Sequence, residues 1–532
     1  MLKKLIRFQS IYIIIISIIV SFCIFQTDTV YACKRSFDLK NSQYIIGGAI
    51  WIIGLSGVAS IISGYTYKHN LEQIMFVCNG IFFSIISILA YHYYFYTDWD
   101  VGAAILPNAV AIAEGRYSDI DNYYYSKYPN NIFITFLFSS IIKLANFLRI
   151  DNYYMCLILC QCLIYAIVGF LVYKVAEMFF QKRIYVFLVW FLYITFVGLS
   201  PWVTIPYSDS VGLLFPILIL YLFFKLQNCN WDNLSLVFII VLVAFFGFKV
   251  KPQIGIITIA ITIVSSVYLI FGMMQKNFTK QVKNQKTKKK KEKIEKQNFK
   301  KKVLACAAGL VVAFMLMSGI TLGCQFELNK ELNFSSLHFM MMGMNPDSLG
   351  VYSSEDVEFS ASFSTVKQRN EANIAVIKER LKNYGIQGTL KLIRAKILTT
   401  YNDGTFAWGC EGSFYIELFA NGSKIIQDIT KNFYYGTGKF SNYFVNFMQS
   451  QWMAILFFSI WAGFSNRSSK LMNVIFLTIM GLTLFEILFE ARARYLFTYA
   501  PIYILLACTG LETIVEKLNL LKEMWKRKWT VK

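Results

Sequence analysis

The sequence is dominated by long, uninterrupted blocks of apolar residues, and these blocks limit what the chain can fold into. Most of them are long enough to cross roughly 30 Å of hydrocarbon as a helix, and short polar loops separate them. Only 16% of the residues are charged, whereas a typical soluble domain has roughly a quarter. The sequence therefore predicts a multi-pass protein of the cell membrane and excludes a water-soluble globular enzyme.

The predicted fold is an all-α polytopic membrane protein of about 12–14 transmembrane helices, with a small, mainly helical extracytoplasmic segment. The apolar blocks lie at 11–26, 44–66, 74–96, 129–148, 153–173, 184–200, 211–226, 234–248, 254–274, 303–323, 452–466, 471–489 and 495–513.

Basic residues orient these spans. Residues 276–302 contain thirteen lysines and two glutamates, and the tail 514–532 is also basic, so the positive-inside bias places both in the cytoplasm. The lysine run supplies about half of the net charge of +21. The charge therefore indicates contact with anionic membrane lipid and not with nucleic acid. Residues 324–451 are expected outside.

The number of crossings conflicts with this orientation. Lys3, Lys4 and Arg7 place the N-terminus inside, but thirteen crossings cannot leave both termini on the same side. The conflict lies within 97–183, where either 101–113 dips into the membrane or one of the next two blocks does not cross. The sequence leaves this parity open, as it does the choice between a cleaved signal and an anchor for the first span.

The expected organisation follows from the spans. It consists of an N-terminal two-span extension or signal-anchor (1–73), a transmembrane core (74–275) with a first outer loop (97–128), a basic cytoplasmic loop (276–302), a single span (303–323), an extracytoplasmic segment (324–451), C-terminal spans (452–513) and a basic cytoplasmic tail (514–532).

Two carboxylates, Asp98 and Asp100, follow the third span directly. Acidic residues at a membrane boundary are costly unless they are hydrated, paired or used. We identify both as candidate catalytic residues that take a proton from a hydroxyl, with a divalent cation left open. The alternative is an interfacial acidic loop anchored by Trp99. With three histidines in the chain, no histidine-rich metal site is expected.

Basic residues on the outer side indicate phosphate binding. Lys127 and Tyr128 precede Pro129, which suits the first turn of a helix whose free amides attract phosphate. An aromatic belt with one lysine is the alternative. Arg492 and Arg494, here called the arginine pair, run against the positive-inside bias and suit a lipid-linked phosphate. Pairing with the neighbouring Glu490 is the competing interpretation.

Five further residues are weaker candidates for substrate binding. Asp209 stands where one span ends, and capping of the next helix explains it equally well. His338 lies in a methionine-rich outer motif. Asn402, Asp403 and Trp408 belong to a second outer motif, whose exposed side chains could stack on and hydrogen-bond a sugar, although Asn-Asp-Gly is also typical of a simple turn.

The order of these motifs resembles that of a known superfamily. Thr97-Asp98-Trp99-Asp100, Ala113-Glu114-Gly115 and the run from Tyr125 to Pro129 resemble the first outer loop of GT-C superfamily glycosyltransferases. The layout is close to that of the GPI mannosyltransferases and similar to that of family 39 protein mannosyltransferases and lipid A aminoarabinose transferases. Arg492-Ala493-Arg494-Tyr495 looks like a family 39 feature. The outer motifs at 338–350 and 401–409 look like those of Gram-positive integral membrane proteins grouped with these enzymes.

The resemblance implies a GT-C-like core whose active site faces outward. The donor would be a polyprenyl-phosphate-linked sugar, and the acceptor an envelope glycan, a glycolipid or a protein. Asp98 or Asp100 would be catalytic, with Lys127 and the arginine pair near the donor phosphate. The sequence departs from the family because a two-span extension (1–73) precedes the span that ends at this motif. A lipid or glycan transporter or flippase, and a non-catalytic scaffold for envelope assembly, remain as alternatives.

Overall fold

The computed structural model describes most of the chain. The described residues are 8–25, 29–30, 35–65, 71–96, 100–229, 233–278, 285–409, 416–420, 422–467 and 470–530. Their secondary structure is almost entirely helical, with two short antiparallel strand pairs. The predicted all-α polytopic fold is confirmed.

The chain begins with three apolar helices and a small strand pair. These elements are α1 (Phe8–Phe25), β1 (Thr29–Val30), β2 (Arg35–Ser36), α2 (Asn41–Tyr65) and α3 (Leu71–His92).

The next region is a set of short elements. They are β3 (Tyr93–Tyr96), a π-helix (Val101–Ile105), α4 (Leu106–Glu114), a 3₁₀ turn (Tyr117–Asp119), α5 (Asn122–Lys127), a second 3₁₀ turn (Pro129–Asn131) and α6 (Ile132–Phe147). β3 pairs with a strand of the outer segment, β4 (Ile416–Ala420). The backbone just before the Asp98 and Asp100 motif is therefore tied to the outer segment.

Longer helices follow. They are α7 (Tyr153–Phe179), α8 (Arg183–Leu192) with its π-helical continuation (Tyr193–Gly198), a 3₁₀ turn (Pro201–Thr204), α9 (Ser208–Gly212), α10 (Leu214–Asn228), α11 (Leu234–Val250), a 3₁₀ turn (Pro252–Ile254), α12 (Gly255–Phe278) and α13 (Gln285–Gly323).

The outer segment and the C-terminal spans complete the chain. Their elements are a 3₁₀ turn (Lys330–Leu332), α14 (Ser336–Gly343), α15 (Ser354–Ala361), α16 (Val366–Tyr401), β4, α17 (Lys424–Tyr434), α18 (Ser441–Ala462), α19 (Lys470–Leu488), a 3₁₀ turn (Ala493–Tyr499) and α20 (Ala500–Thr530).

Helix α16 connects the outer segment to the membrane core, and it changes direction at Gly385, where φ is 56°. Before this kink, the guanidinium of Arg369 organises the outer segment by donating to the carbonyls of Ser360 (2.7 Å) and Phe363 (2.6 Å). After the kink, Lys391, Arg394 and Lys396 in the stretch 389–398 predict an amphipathic helix that lies on the membrane surface. That prediction is wrong for Lys396, which is 1% exposed because the last turns of α16 enter the core.

Ten helices among the described residues are long and apolar enough to cross a membrane. Each coincides with one of the thirteen predicted blocks. The block at 184–200 forms α8 with its π-helical continuation, and the block at 234–248 forms α11; both fall among the shorter apolar helices of 10–17 residues. The block at 452–466 is only the second half of α18, whose first half carries amide side chains such as Gln449 and Gln451.

Candidate functional site

Asp100 lies where the first outer loop enters a helix. The residue is exposed, and its carboxylate accepts hydrogen bonds from the backbone N–H of Val101 (3.1 Å) and from the phenol of Tyr207. A carboxylate is favoured at this position because the first amides of a helix lack intrahelical partners. Asp98, the second predicted catalytic residue, lies outside the described residues.

Tyr207 is held in place by a tightly bonded turn. The side-chain amide of Gln161, buried on α7, donates to the carbonyls of Trp202 (2.8 Å), Val203 (3.0 Å) and Ile205 (2.7 Å). A single amide thus satisfies three buried backbone acceptors that would otherwise be costly. The turn places Tyr207 in contact with Asp100. Burial raises the pKa of Tyr207 well above its ordinary value. The phenol therefore stays protonated and donates.

Asp209 lies two residues further on, in a buried ion cluster with Lys251 and Arg494. Arg494 Nη1 lies 3.2 Å from Asp209 Oδ2, and Lys251 Nζ contacts Asp209 Oδ1. The side chains of Asp209, Lys251 and Arg494 are 0%, 7% and 12% exposed. The predicted alternative, in which Asp209 only caps a helix, does not account for these two cations. The carboxylate of Asp209 is thus shared between two basic side chains, Lys251 and Arg494.

Aromatic rings join Asp100 to this cluster. The guanidinium of Arg494 lies over the ring of Tyr207, 4.9 Å from the centroid, while the hydroxyl of Tyr207 contacts Asp100. The ring of Tyr495 lies 4.6 Å from Lys251 Nζ and 5.2 Å from the Arg494 guanidinium. Asp100 and Arg494, predicted from motifs almost 400 residues apart, therefore lie at opposite ends of one side chain.

Arg492, the other member of the arginine pair, is held by two carboxylates. Its Nε lies 3.4 Å from Glu490 Oε1, and its backbone N–H donates to Glu486 Oε2 at 3.4 Å. Glu486 is 2% exposed, and its Oε1 is buried without a hydrogen-bond partner. The expected pairing between Glu490 and an arginine is confirmed for Arg492, whereas Arg494 pairs with Asp209.

A cavity of about 830 Å³ begins two residues from Asp100 and follows one face of α4. Apolar groups form much of its wall, and polar groups lie at its far end. The lining residues are Gly102, Leu106, Pro107, Asn108, Val110, Ala111, Arg116, Asp119, Asp151, Asn152, Tyr153 and Tyr154. Its volume is typical of a cleft for a small organic ligand.

A family described as "conserved hypothetical integral membrane protein" matches residues 4–515. The chain belongs to this family. Comparison with curated proteins gave no match, and comparison with solved structures gave none. Family membership and the ten apolar helices agree with the predicted multi-pass localisation in the membrane.

In this integral membrane protein, Lys127 and Tyr128, the two predicted phosphate ligands of the first outer loop, have different surroundings. Lys127 Nζ lies over the ring of Tyr123, 3.8 Å from its centroid, which matches the alternative of a lysine in an aromatic belt. Tyr128 packs against Phe334 with ring centroids 5.3 Å apart. Burial raises the pKa of Tyr128, and the carboxylate of Asp100 adds to this effect. Tyr128 is therefore close to the site, whereas the ammonium of Lys127 is used elsewhere.

The expected exposure of Asn402 and Trp408 is wrong. They are 0% and 4% exposed, so neither can stack on a sugar in this conformation. The side-chain oxygen of Asn402 accepts from the amide of Asn41 at 2.7 Å, which satisfies it inside the core. Asp403 is also buried, and its carboxylate accepts from the backbone N–H groups of Thr405 (2.8 Å) and Ala407 (2.7 Å). Asp403 therefore lies in a turn, which was the alternative prediction for this motif.

The turn that follows Asp403 contacts the segment that carries Tyr207. Phe406 and Ala407 have φ values of 52° and 78°, a left-handed conformation that costs free energy in non-glycine residues and that the Asp403 carboxylate stabilises. The carbonyl of Phe406 accepts from the indole of Trp202 at 3.0 Å. The motif therefore holds the turn that carries Tyr207.

His338 is buried in the outer segment and does not join the site. Its Nδ1 lies 2.7 Å from the hydroxyl of Ser360, and its ring packs against Phe334 at 4.2 Å. Burial lowers the pKa of His338 to about 4, so the ring is neutral at physiological pH. The prediction that His338 contacts substrate lacks support from these surroundings.

Four important residues were absent from the predicted set. Tyr207 stands in the motif that singled out Asp209, but sequence gives no sign of its contact with Asp100. Lys251 lies between two apolar blocks, and Glu486 is a single carboxylate inside another; charges in such places indicate function or burial with a partner. Lys396 was assigned to the wrong surface. Among the described residues, no group of three or more His, Cys, Asp or Glu side chains could hold a metal ion.

Proposed function

We propose that this protein is a membrane glycosyltransferase that transfers a sugar from a polyprenyl-phosphate-linked donor to a cell-envelope acceptor on the extracytoplasmic face. The observation that carries the proposal is the continuous contact from Asp100 through Tyr207 to Arg494. A group transfer from a phosphate needs a base for the acceptor and cations for the leaving group. Both are present here, separated by one tyrosine.

The two ends of this arrangement have opposite tasks. Asp100 is exposed and accepts hydrogen bonds, so its carboxylate is suited to receive the proton of an acceptor hydroxyl. Arg494 and Lys251 are two basic side chains that both contact the carboxylate of Asp209. They are suited to stabilise the charge that develops on a departing phosphate, and a buried cluster does so more strongly than one in water.

The proposed transfer forms one bond at the anomeric carbon and breaks another. The acceptor oxygen bonds to the anomeric carbon of the sugar while its proton passes to Asp100. The bond between the anomeric carbon and the phosphate oxygen breaks, and its electron pair leaves with the polyprenyl phosphate. Arg494 and Lys251 hold that phosphate as its charge increases. The cavity along α4 gives the acceptor room beside Asp100.

The position of the charges favours transfer over transport. A transporter or flippase commonly carries its ionisable residues near the bilayer midplane on broken helices. Asp100 precedes a helix, Lys251 lies between α11 and the next 3₁₀ turn, and Arg494 lies in the 3₁₀ turn before α20. All three are at helix ends, and Asp100 is exposed there, so an acceptor from the aqueous phase can reach its carboxylate.

The experiment compares lipid extracts from cells that carry the wild-type gene, a deletion, Asp100→Asn and a control, Asp121→Asn. Asp121 is an exposed carboxylate of the same loop that accepts from the backbone N–H of Tyr124 at 2.9 Å at the start of α5, a capping role that asparagine fills equally well. We expect a polyprenyl-linked sugar to accumulate in the deletion and the Asp100→Asn cells alone, with transfer reduced by roughly 10²–10⁴-fold in vitro. Identical lipid profiles in all four strains, with Asp100→Asn correctly inserted, would overturn the proposal.

A further inference from the structure

Lys396 is a buried lysine that connects the outer segment to the loop before the arginine pair. It lies in the last turns of α16 and is 1% exposed. Its Nζ donates to the carbonyl of Gly343 (2.7 Å), at the end of α14, and to the carbonyl of Phe489 (2.6 Å), just after α19. One ammonium therefore bridges two backbone segments almost 150 residues apart in sequence.

Close backbone contacts reinforce the same connection. The N–H of Ala491 donates to the carbonyl of Gly350 at 2.9 Å. A Cβ atom at Gly343 would lie 2.5 Å from the carbonyl carbon of Phe489, so only glycine permits this approach. We call Gly343, Gly350, Lys396, Phe489 and Ala491 the outer junction.

Gly350 is the most constrained residue of the outer junction. Its φ of 78° lies in the left-handed region, and an added Cβ would lie 2.7 Å from the Gly343 oxygen and 2.8 Å from Lys396 Cδ. Glycine adopts this conformation readily, whereas the buried ammonium beside it is costly unless it is hydrogen-bonded. The outer junction is therefore a specific assembly of backbone and charge.

The charges around Lys396 are those that hold Arg492. Burial lowers the pKa of Lys396 to about 7, while the carboxylates of Glu486, on α19, and Glu490 act in the opposite direction. Glu486 accepts from the backbone of Arg492, and Glu490 pairs with its side chain. The two acidic residues that hold Arg492 thus also act electrostatically on Lys396.

We propose that Lys396 is a positioning residue for the donor phosphate, which through the outer junction fixes the loop of Arg492 and Arg494 in its phosphate-binding arrangement. The inference rests on the proposed function and names the part of the outer segment that this function requires. Lys396 itself contacts no reacting atom in this scheme. A loosened junction lets the arginine pair sample several arrangements, and only one of them binds the phosphate well.

The test uses the purified full-length protein in lipid nanodiscs and farnesyl phosphate, a short polyprenyl phosphate, as the probe. Lys396→Met removes the ammonium, and Lys396→Arg keeps a donor and its charge. Lys391→Met is the matched control, because Lys391 is an exposed lysine of the same helix. We expect Lys396→Met to weaken farnesyl phosphate binding at least tenfold, Lys396→Arg to recover most of it, and Lys391→Met to bind like the wild type.

A second pair of variants tests the junction from its opposite side. Gly350→Ala introduces a Cβ into the crowded contact, whereas Gly385→Ala places one at a left-handed glycine with nothing within 4 Å. Both positions have a positive φ that strains an alanine, so a binding loss specific to Gly350→Ala reports the crowded junction. If Lys396→Met does not assemble, the comparison of Gly350→Ala with Gly385→Ala tests whether farnesyl phosphate binding depends on the outer junction.

A kinetic measurement separates positioning from general damage. We expect Lys396→Met to raise the donor KM about tenfold while the acceptor KM stays unchanged, since only phosphate binding depends on the junction. Farnesyl phosphate binding that Lys396→Met and Gly350→Ala leave at the wild-type level would overturn this inference alone. A wild-type protein that does not bind farnesyl phosphate would overturn the inference and the proposed donor together.

Discussion

The phenol of Tyr207 donates a hydrogen bond to the carboxylate of Asp100 across 107 positions of sequence. The same ring lies beneath the guanidinium of Arg494. Tyr207 therefore sets the spacing between the carboxylate proposed to accept a proton and the guanidinium proposed to hold a phosphate. The proposed transfer depends on this spacing, because the acceptor and the leaving group must lie on opposite sides of one sugar.

Removal of the Tyr207 hydroxyl tests that spacing. We expect Tyr207→Phe to lower kcat by roughly 10–100-fold, because a hydrogen bond to a charged group contributes about 1.5–3 kcal/mol. The ring and its contact with Arg494 remain, so the donor KM changes little. Tyr434→Phe is the control, since Tyr434 is another buried tyrosine whose hydroxyl donates to a carbonyl, that of Leu199, at 2.8 Å. Equal rates for the two variants would mean that Asp100 needs no orientation by Tyr207.

The buried ion cluster predicts a specific pattern of stability. Asp209→Asn leaves Lys251 and Arg494 buried without their carboxylate, and breaking such a pair costs about 3–5 kcal/mol. We expect a Tm lower by several degrees, measured by thermal unfolding in detergent, and partial recovery in Asp209→Asn combined with Lys251→Met. Glu114→Gln breaks an exposed pair with Arg116 and should change Tm little. A double variant less stable than Asp209→Asn alone would contradict this explanation.

The helices were largely predictable from the sequence because each apolar block must satisfy its own backbone within the membrane. The contacts of the site were not. Asp209 and Lys251 are 42 residues apart, and no periodic pattern encodes a pair between two helix ends. Trp408 was expected to be exposed because a polar, glycine-containing motif indicates a surface turn. The structure buries this motif because Asn41 and Gln449 satisfy its polar atoms, and these partners come from distant spans.

The neutral state of His338 predicts an acid-sensitive outer segment. Burial lowers the pKa of His338 from 6.5 to about 4, with Asp356 acting to raise it and Arg369 to lower it. The folded protein therefore binds fewer protons than the unfolded chain between these values. Stability is lost as pH falls from about 6.5 to about 4, by at most about 1.4 kcal/mol per unit for this group. We expect Tm to fall less steeply in His338→Gln over this window, and parallel curves would assign the acid sensitivity to other groups.

Helix α6 explains why thirteen apolar blocks gave inconsistent orientations. It packs against α4. Burial raises the pKa of Cys324, just after α13, while the nearby charge of Lys143 on α6 acts in the opposite direction. The segment after it, Asp151 to Tyr154, lines the same cavity as Gly102 and Asp119. Both ends of α6 are thus near the first outer loop, which favours a helix that lies along the outer surface without crossing.

With α6 removed from the count, twelve of the thirteen predicted blocks are expected to cross, which is compatible with the cytoplasmic position that the basic residues predict for both ends of the chain. We expect a cysteine at position 151 to react with a membrane-impermeant maleimide in intact protoplasts, in a background whose exposed native cysteines, such as Cys78 and Cys229, are replaced by serine. A cysteine at position 466, in the loop before α19, should react only after permeabilisation. Asp151 and Asn466 are both exposed, so the difference reports the side of the membrane. Labelling of position 151 only after permeabilisation would make α6 a true span and place the extra crossing elsewhere.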